Sequence, residues 1–249
     1  MIDIKSEYLL KKITKKYKQL PVLKTELGGV RYHDKKIISI EGINGSGKTT
    51  QIDILSRHFK NLIYRVPKYI GLPAEKLIRK SVAMGNKAIG GPVIQTLLFL
   101  ICETSKEFFV SQKSVKEKYI LYDRYVDSLL LCQKLELLNA GFNYDKIDIW
   151  FKDLALFLPS PDLTIVLDAQ PKTCIMRTYQ RRKTENRDIY TQQIEEILNL
   201  RKDFINIGYG RNKKVYLINA NDSIDHVSKK IIEIIKRFIK NNNQNDYYN

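Results

Sequence analysis

The chain lacks any apolar run near the roughly 20 residues that a bilayer-spanning helix requires. Its longest, Thr96-Leu97-Leu98-Phe99-Leu100-Ile101-Cys102, is far too short, and no membrane partner is expected. The opening residues, Met1-Ile2-Asp3-Ile4-Lys5-Ser6-Glu7, lack the basic segment, apolar core and small cleavage residues of a secretory signal. No arginine precedes Arg31 and acids come early, which argues against a mitochondrial-type leader. Cysteine is scarce and odd in number: Cys102, Cys132 and Cys174 show neither metal-ligand spacing nor a pairing framework. Free thiols in a reducing cytoplasm are the expectation. Acidic residues are outnumbered, 27 against 43 lysines and arginines, for a formal charge of +16. The excess is a bias of the whole chain with concentrations near its ends, at Lys11-Lys12, Lys15-Lys16-Tyr17-Lys18 and from Lys229 to Lys240. These basic residues lack interleaved aromatics and a groove-reading motif, so nucleic acid is not an expected partner. No internal repeat is visible, and 249 residues suffice for one α/β domain.

What is present is concentrated in Gly42-Ile43-Asn44-Gly45-Ser46-Gly47-Lys48-Thr49, which fits the phosphate-binding loop pattern G-x-x-x-x-G-K-[ST] at every fixed position. Its context fits as well. Ile37-Ile38-Ser39-Ile40 ahead of it is short, apolar and β-branched, as a buried parallel strand is. Behind it, Ile52, Leu55 and Phe59 recur on one helical face. A strand, a glycine loop and a helix N-terminus together converge backbone N–H groups on an anion. Lys48 then supplies a mobile positive charge for β- and γ-phosphates and Thr49 a hydroxyl for Mg²⁺. The chain is therefore expected to bind a nucleoside triphosphate.

Strand and helix patterns alternate through the rest of the chain. Strands are predicted at 37–40, 62–67, 119–122, 163–168 and 214–219. Helices are predicted within 71–87, from Pro92, over 128–138 with Gly141 as C-cap, and over 147–158, 171–180, 191–207 and 224–239. Arg181 to Asp188 reads as a charged connector. This order predicts an α/β fold, a five-stranded parallel sheet with helices on both faces. Residues 1–35 form a basic N-terminal extension in which Ile4, Tyr8, Leu9, Ile13 and Tyr17 or Leu20 recur at helical spacing, and 36–240 form the nucleotide-binding domain. Residues 241–249 are a polar tail expected to be disordered.

In a parallel sheet, ligands collect beyond the C-terminal ends of the strands. Arg65, Asp123, Arg124, Asp168, Asn219, Ala220 and Asn221 all fall at such ends. Arg124 can grip an acceptor phosphate with its bidentate fork, while Asp123 can hold a magnesium-bound water or orient Arg124.

Four segments, in matching order and spacing, resemble thymidylate kinases, the dTMP-phosphorylating members of the P-loop nucleoside monophosphate kinase superfamily. They are Ile40-Glu41-Gly42 through Gln51; Asp123-Arg124-Tyr125 with Ser128 and Gln133; Pro161-Asp162-Leu163 through Asp168; and Leu217-Ile218-Asn219-Ala220. The resemblance spans residues 36 to about 239. It implies a P-loop kinase that moves the γ-phosphoryl of ATP, with Mg²⁺, onto a pyrimidine deoxynucleoside monophosphate, dTMP first, and a homodimer formed through the helix at 92–106. It implies that Gly42, Asn44, Gly45, Ser46, Gly47, Lys48, Thr49 and Thr50 bind ATP, with Asn219 and Ala220 beside the adenine. Thr49 and Asp123 would serve the metal. Arg124 and Arg65 would contact the acceptor phosphate, Phe99 would stack on the base, and Ser128 and Gln133 would line the acceptor pocket. Lys48, Asp123 and Arg124 would be catalytic, together with lid arginines Arg182 and Arg187 from the charged connector.

The chain also departs from the family pattern. Asn44 stands where an acid is usual, Glu103 where an arginine often follows the stacking aromatic, and Cys132 where a tyrosine precedes Gln133. Val66-Pro67-Lys68-Tyr69 replaces a Glu-Pro-Gly-Gly stretch common in bacterial members. The phosphate end is kept while the base end is altered. Two other readings stay open: a nucleoside kinase whose acceptor is a hydroxyl, and a non-catalytic ATP-binding module with a protein or nucleic-acid partner.

Overall fold

A computed structural model describes residues 23–24, 30–31, 33–113, 115–155, 157–184, 201–204 and 214–245. A short antiparallel hairpin, β1 (Leu23–Lys24) and β2 (Val30–Arg31), precedes the main body. The helix expected near the N-terminus falls on residues outside those described.

The main body alternates as the sequence predicts. Its elements are β3 (Lys36–Glu41), α1 (Lys48–His58), β4 (Ile63–Arg65), α2 (Pro73–Met84), α3 (Pro92–Gln112), β5 (Tyr119–Asp123) and α4 (Val126–Asn139). There follow α5 (Tyr144–Ala155), β6 (Leu163–Asp168), α6 (Pro171–Thr184), β7 (Lys214–Asn219) and α7 (Ile224–Asn245). The five strands make one parallel sheet in the order β4-β5-β3-β6-β7. The strand before the phosphate loop is thus central, with Ile38 opposite Leu121 on one side and Leu163 on the other.

Alternation along the strands sorts side chains between two apolar layers. Ile38, Ile40 and Leu121 face a core closed by Ile52 and Leu55 of α1 and by Val227, Ile231, Ile235 and Phe238 of α7. Ile37, Ile120 and Tyr122 face the other, closed by Val110 of α3 and Val126 and Leu129 of α4. Gln51 ties α1 to α7, donating to the Ile224 carbonyl at 3.2 Å and accepting from the Ser228 hydroxyl at 2.8 Å. Gly141, at φ 87°, ends α4 as expected: its N–H donates to Leu138 and that of Phe142 to Leu137, satisfying the last carbonyls.

Several boundaries differ from the sequence prediction, among them α5, which spans Tyr144–Ala155 and not 147–158, and α4, which spans Val126–Asn139 and not 128–138. Helix α6 continues to Thr184 instead of stopping at Gln180, because Arg181, Arg182 and Lys183 are good helix formers; the connector therefore begins inside a helix. Helix α7 passes the predicted start of a disordered tail at 241 and runs to Asn245. Its last turns are held by the Asn242 amide donating to the Phe238 carbonyl at 2.8 Å and the Tyr119 hydroxyl reaching Asn243 Oδ1 at 3.3 Å. The second strand is only Ile63–Arg65, shorter than 62–67. Of the helix predicted over 191–207, residues 201–204 are helical and the others lie outside the described residues.

Candidate active site

The central strand delivers the phosphate loop to the mouth of the sheet, between the ends of β5 and β6. Two glycines make the loop's path possible. Gly42, at φ 133°, passes so close to β6 that a Cβ would stand 2.6 Å from the Leu167 carbonyl oxygen. Gly45, at φ 83°, is pressed on α6, where a Cβ would meet the Cys174 carbonyl oxygen at 2.4 Å. Gly47 caps α1 at φ 95° with open space around it.

The loop wraps around its own lysine. Lys48 Nζ donates to the carbonyls of Gly42 (2.9 Å) and Ile43 (2.7 Å) and reaches Ser46 Oγ at 3.4 Å. Burial pushes its pKa well below the ordinary lysine range, and the charge of Arg124 adds to that. Beside it, the Thr49 hydroxyl donates to Asp123 Oδ2 at 3.1 Å. One hydroxyl and one carboxylate, leaving positions for phosphate oxygens and water, are the hard oxygen donors that suit Mg²⁺. Among the described residues no group of three or more His, Cys, Asp or Glu could hold a metal by itself.

Arg124 crosses the mouth of the loop. Its Nη2 donates to Asn44 Oδ1 at 2.8 Å and its Nη1 to Ser128 Oγ at 2.8 Å. Its φ of 67° is the one positive value on a non-glycine among the described residues. That left-handed backbone costs on the order of 1 kcal/mol. Beneath it lies Glu41, fully buried, which accepts from the Tyr125 N–H at 2.8 Å and from the Ser128 hydroxyl. Burial first, and the nearby Asp127 second, raise the Glu41 carboxyl to about 7.

Asn44, Gly45, Gly47, Lys48, Thr49, Thr50, Asp123 and Arg124 line one cavity of about 380 Å³, joined by Lys68, Arg177 and Thr178. A smaller cavity of about 130 Å³ adjoins it, lined by Ser46, Gly47, Thr50, Gln51, Arg177, Ala220, Asp222, Ile224 and Val227. Arg177 of α6 borders both and donates to the Gly45 carbonyl at 3.3 Å. The arrangement puts four cationic groups, Lys48, Lys68, Arg124 and Arg177, around one space, which suits stabilising charge on transferring phosphate oxygens.

Arg65, Phe99, Ser128, Gln133, Asn219 and Ala220 do not line the larger cavity. The Arg65 guanidinium pairs with Asp53 of α1 at 2.5 Å. Asn219 accepts from the backbone and side-chain N–H groups of Asn221 at 3.1 and 2.7 Å, shaping the turn after β7, while its neighbour Ala220 lines the smaller cavity. Phe99 of α3 packs against the Tyr122, Tyr125, Val126 and Leu129 cluster. Gln133 is buried with its Oε1 3.5 Å from the Thr96 hydroxyl, and Ser128 is buried under Arg124. Glu103 holds Lys106 at 2.7 Å, and burial raises its pKa. Asp168, at the end of β6, is gripped by Arg201 through two contacts of 2.6 and 2.9 Å. Of Arg182 only the backbone, in the last turn of α6, is described, and Arg187 falls outside the described residues.

Glu41, Lys68 and Arg177 were not singled out from sequence. Glu41 carried a signal, since an acid closing an apolar strand must be buried with partners. Arg177 carried a weaker one, seven residues into a helix that starts beside the loop. Lys68 carried none.

The chain matches the family model described as thymidylate kinase over residues 40–231. It is 28% identical over 205 residues to the "Probable thymidylate kinase" of Sulfolobus acidocaldarius, covering 82% of this chain and 97% of the relative. It is 28% identical to the thymidylate kinase of Thermoanaerobacter sp. (82% and 98% covered) and 27% identical to that of Rhodopseudomonas palustris (81% and 88% covered). Among solved structures, a deoxyadenosine kinase from M. mycoides, with the products dCMP and dCDP bound, superposes with a TM-score of 0.61 at 17% identity. That superposition covers 81% of this chain and 99% of the other, a likeness of fold.

Proposed function

We propose a reaction for this chain from one premise: it belongs to the thymidylate kinase family. The reaction is transfer of the γ-phosphoryl of ATP to the phosphate of a pyrimidine deoxynucleoside monophosphate, dTMP giving dTDP. An acceptor phosphate oxygen forms the new bond to the γ-phosphorus as the bond to the β–γ bridging oxygen breaks, releasing ADP. The observation that carries this reading is the meeting of Lys48, Thr49, Asp123 and Arg124 in one cavity beside the glycine loop.

The roles follow from charge and position. Lys48 leaves its carbonyl partners to meet the β- and γ-phosphates, for which its buried ammonium is already desolvated. Arg124 holds the acceptor phosphate, and Arg177, bordering both cavities, guards the donor phosphates. Arg182, in the last turn of α6, and Arg187, five residues further along the sequence, are the lid residues whose closure excludes water. Thr49 and Asp123 would hold Mg²⁺, which when bound would neutralise charge on the phosphate oxygens. Ala220 faces the adenine end of the donor. Phe99 and Gln133 receive the base.

The same reading extends to assembly and setting. Ile94, Leu97 and Ile101 are 42%, 37% and 50% exposed along one face of α3, an apolar stripe that suits a homodimer. Among the described residues no helix is long and apolar enough to cross a membrane. All three cysteines are free, and burial pushes their thiols up, Cys102 to about 11, which suits a reducing cytoplasm.

The test is ADP release from Mg-ATP by the full chain with dTMP, dUMP, dCMP, dGMP, UMP or thymidine offered separately. Release with dTMP, lowered at least about 10³-fold in Lys48→Ala, is the expected result. Release with thymidine and not with dTMP would make the chain a nucleoside kinase. Silence across the panel with ATP binding intact would leave a non-catalytic module.

A further inference from the structure

Arg124 occupies an unusual place. Its backbone is left-handed although it carries a long side chain, and its guanidinium spans the mouth of the loop. A conformation disfavoured by its own Cβ persists only when the surroundings over-determine it. The surroundings here are identifiable. The Arg124 N–H donates to the Ile40 carbonyl at 3.2 Å. The next residue, Tyr125, is pinned at both of its polar ends by buried glutamates: its N–H donates to Glu41 Oε1 and its hydroxyl to Glu107 Oε1, each at 2.8 Å. The other oxygen of Glu41 accepts the Ser128 hydroxyl proton. With that proton directed downward, a Ser128 lone pair faces Arg124 Nη1, 2.8 Å away.

We propose that Glu41 is a positioning residue, which fixes the polarity of the Ser128 hydroxyl and through it aims the Arg124 guanidinium at the acceptor phosphate. The reaction in which Arg124 acts is the one proposed above, and the inference rests on it. Ser128 then acts on the arginine beneath the cavity and touches no substrate, in line with its burial and its absence from the cavity lining. A serine hydroxyl has one proton and can donate to one neighbour. A guanidinium only donates, so Ser128 accepts from Arg124; an ionised Glu41, as it stands above about pH 7, takes the one serine proton and keeps a lone pair turned to the arginine. A glutamine in the place of Glu41 can donate to Ser128 and leaves the serine proton without a fixed acceptor, free to turn toward the arginine. The chain of contacts Glu41–Ser128–Arg124–Asn44 thus joins the end of β3, the first turn of α4, the end of β5 and the phosphate loop. The Glu41–Ser128 end of this chain is buried and the Arg124–Asn44 end is exposed, so the bonds polarise one another most beneath the arginine.

The test uses the full chain and its Ser128→Ala, Ser128→Thr and Glu41→Gln variants, with Ser128→Ala/Glu41→Gln as the double variant. KM is measured for dTMP and ATP separately at about pH 8, above the value of about 7 at which Glu41 ionises. Ser128→Ala and Glu41→Gln should each raise KM for dTMP about tenfold, the worth of one hydrogen bond to a charged group, with KM for ATP within about twofold. Ser128→Thr, which keeps the hydroxyl, should restore most of the loss. The double variant should be no worse than the more damaged single one, because both break one chain of contacts. A merely structural role would move both KM values together, and equal rises for dTMP and ATP overturn the proposal. So does an unchanged dTMP KM in a folded Ser128→Ala, which keeps the test decisive should Glu41→Gln not fold. If wild-type protein transfers to no monophosphate, the proposed reaction fails, and the relay is decided by Arg124 side-chain N–H signals in NMR. Faster solvent exchange of those protons in Ser128→Ala upholds it, and unchanged exchange overturns it.

Discussion

Arg124 Nη2 and Asn44 Oδ1 are joined at 2.8 Å across the mouth of the phosphate loop. The contact bridges residues 80 positions apart and holds the arginine over the cavity that Lys48 and Asp123 line. Because Asn44 is neutral, the guanidinium keeps its full charge for an incoming anion. Arg124→Ala should therefore raise the KM for a monophosphate acceptor about 10- to 100-fold, the range for losing hydrogen bonds from a charged donor, while ATP binding measured by calorimetry changes little.

The same residue gives a prediction that does not depend on catalysis. At φ 67° an alanine pays for its Cβ while a glycine does not. Arg124→Gly should be more stable than Arg124→Ala by about 1 kcal/mol in urea unfolding. Equal stability of the two would mean that the backbone relaxes out of the left-handed region.

Lys68, on the segment after β4, lines the cavity, and Arg65 pairs with Asp53 outside it. The segment is shaped by Glu75, whose carboxylate gathers the N–H groups of Ile70, Gly71 and Leu72 at 2.7, 2.9 and 3.0 Å. Lys68→Ala should raise acceptor KM about tenfold through loss of one charged contact to phosphate. Arg65→Ala should change it by less than about twofold, since an exposed ion pair contributes little. Steady-state kinetics of the two variants, side by side, decide which cation serves the acceptor.

Gly45 and Gly47 share positive φ but differ in their surroundings. Gly47→Ala has room for its methyl group and should cost only about 1 kcal/mol of stability for the strained backbone. Gly45→Ala drives a Cβ to 2.4 Å from the Cys174 carbonyl, so loop and α6 must part, and the cost should be at least about 2 kcal/mol. Thermal unfolding of both variants checks the order.

Glu41 makes the protein's stability depend on pH in the direction opposite to that of most carboxylates. Its pKa rises from the ordinary value of 4.5 to about 7 on folding, so between those values the folded chain keeps a proton that the unfolded chain has released. The stability gained this way is full below about pH 4.5 and is lost as the pH rises to about 7. Subtracting the melting profile of Glu41→Gln from that of wild type should leave a difference that falls over this window and is flat above it.

Much of this was legible before the structure. A phosphate loop can be read from sequence because each of its positions answers a local demand: glycines for positive φ, a lysine and a threonine for phosphate and metal, a strand before and a helix after. The inner strands were legible for a related reason, since a strand buried on both faces has to be almost wholly apolar, as Ile37 to Ile40 and Leu163 to Leu167 are but for Ser39 and Thr164, which bond each other at 3.2 Å. Helix ends were less so. Arg181 to Thr184 look like a loop by charge and are helical by propensity, and the turns that carry α7 to Asn245 depend on Tyr119, more than 100 residues away.

Sequence by itself determined the sheet, the loop, and the identity of Lys48, Thr49, Asp123 and Arg124 as the groups that meet there, because local patterns and strand ends suffice for each. Only the tertiary structure decided which other charges share the cavity. Arg65 and Lys68 are three residues apart and carry the same charge, yet one pairs with Asp53 and the other faces the loop. Glu41 is one acid among 27 until burial gives it Ser128 and Tyr125 as partners. The physical reason is that a charge acquires its direction and its pKa from neighbours that the sheet order brings together, and strand order is a property of the whole chain.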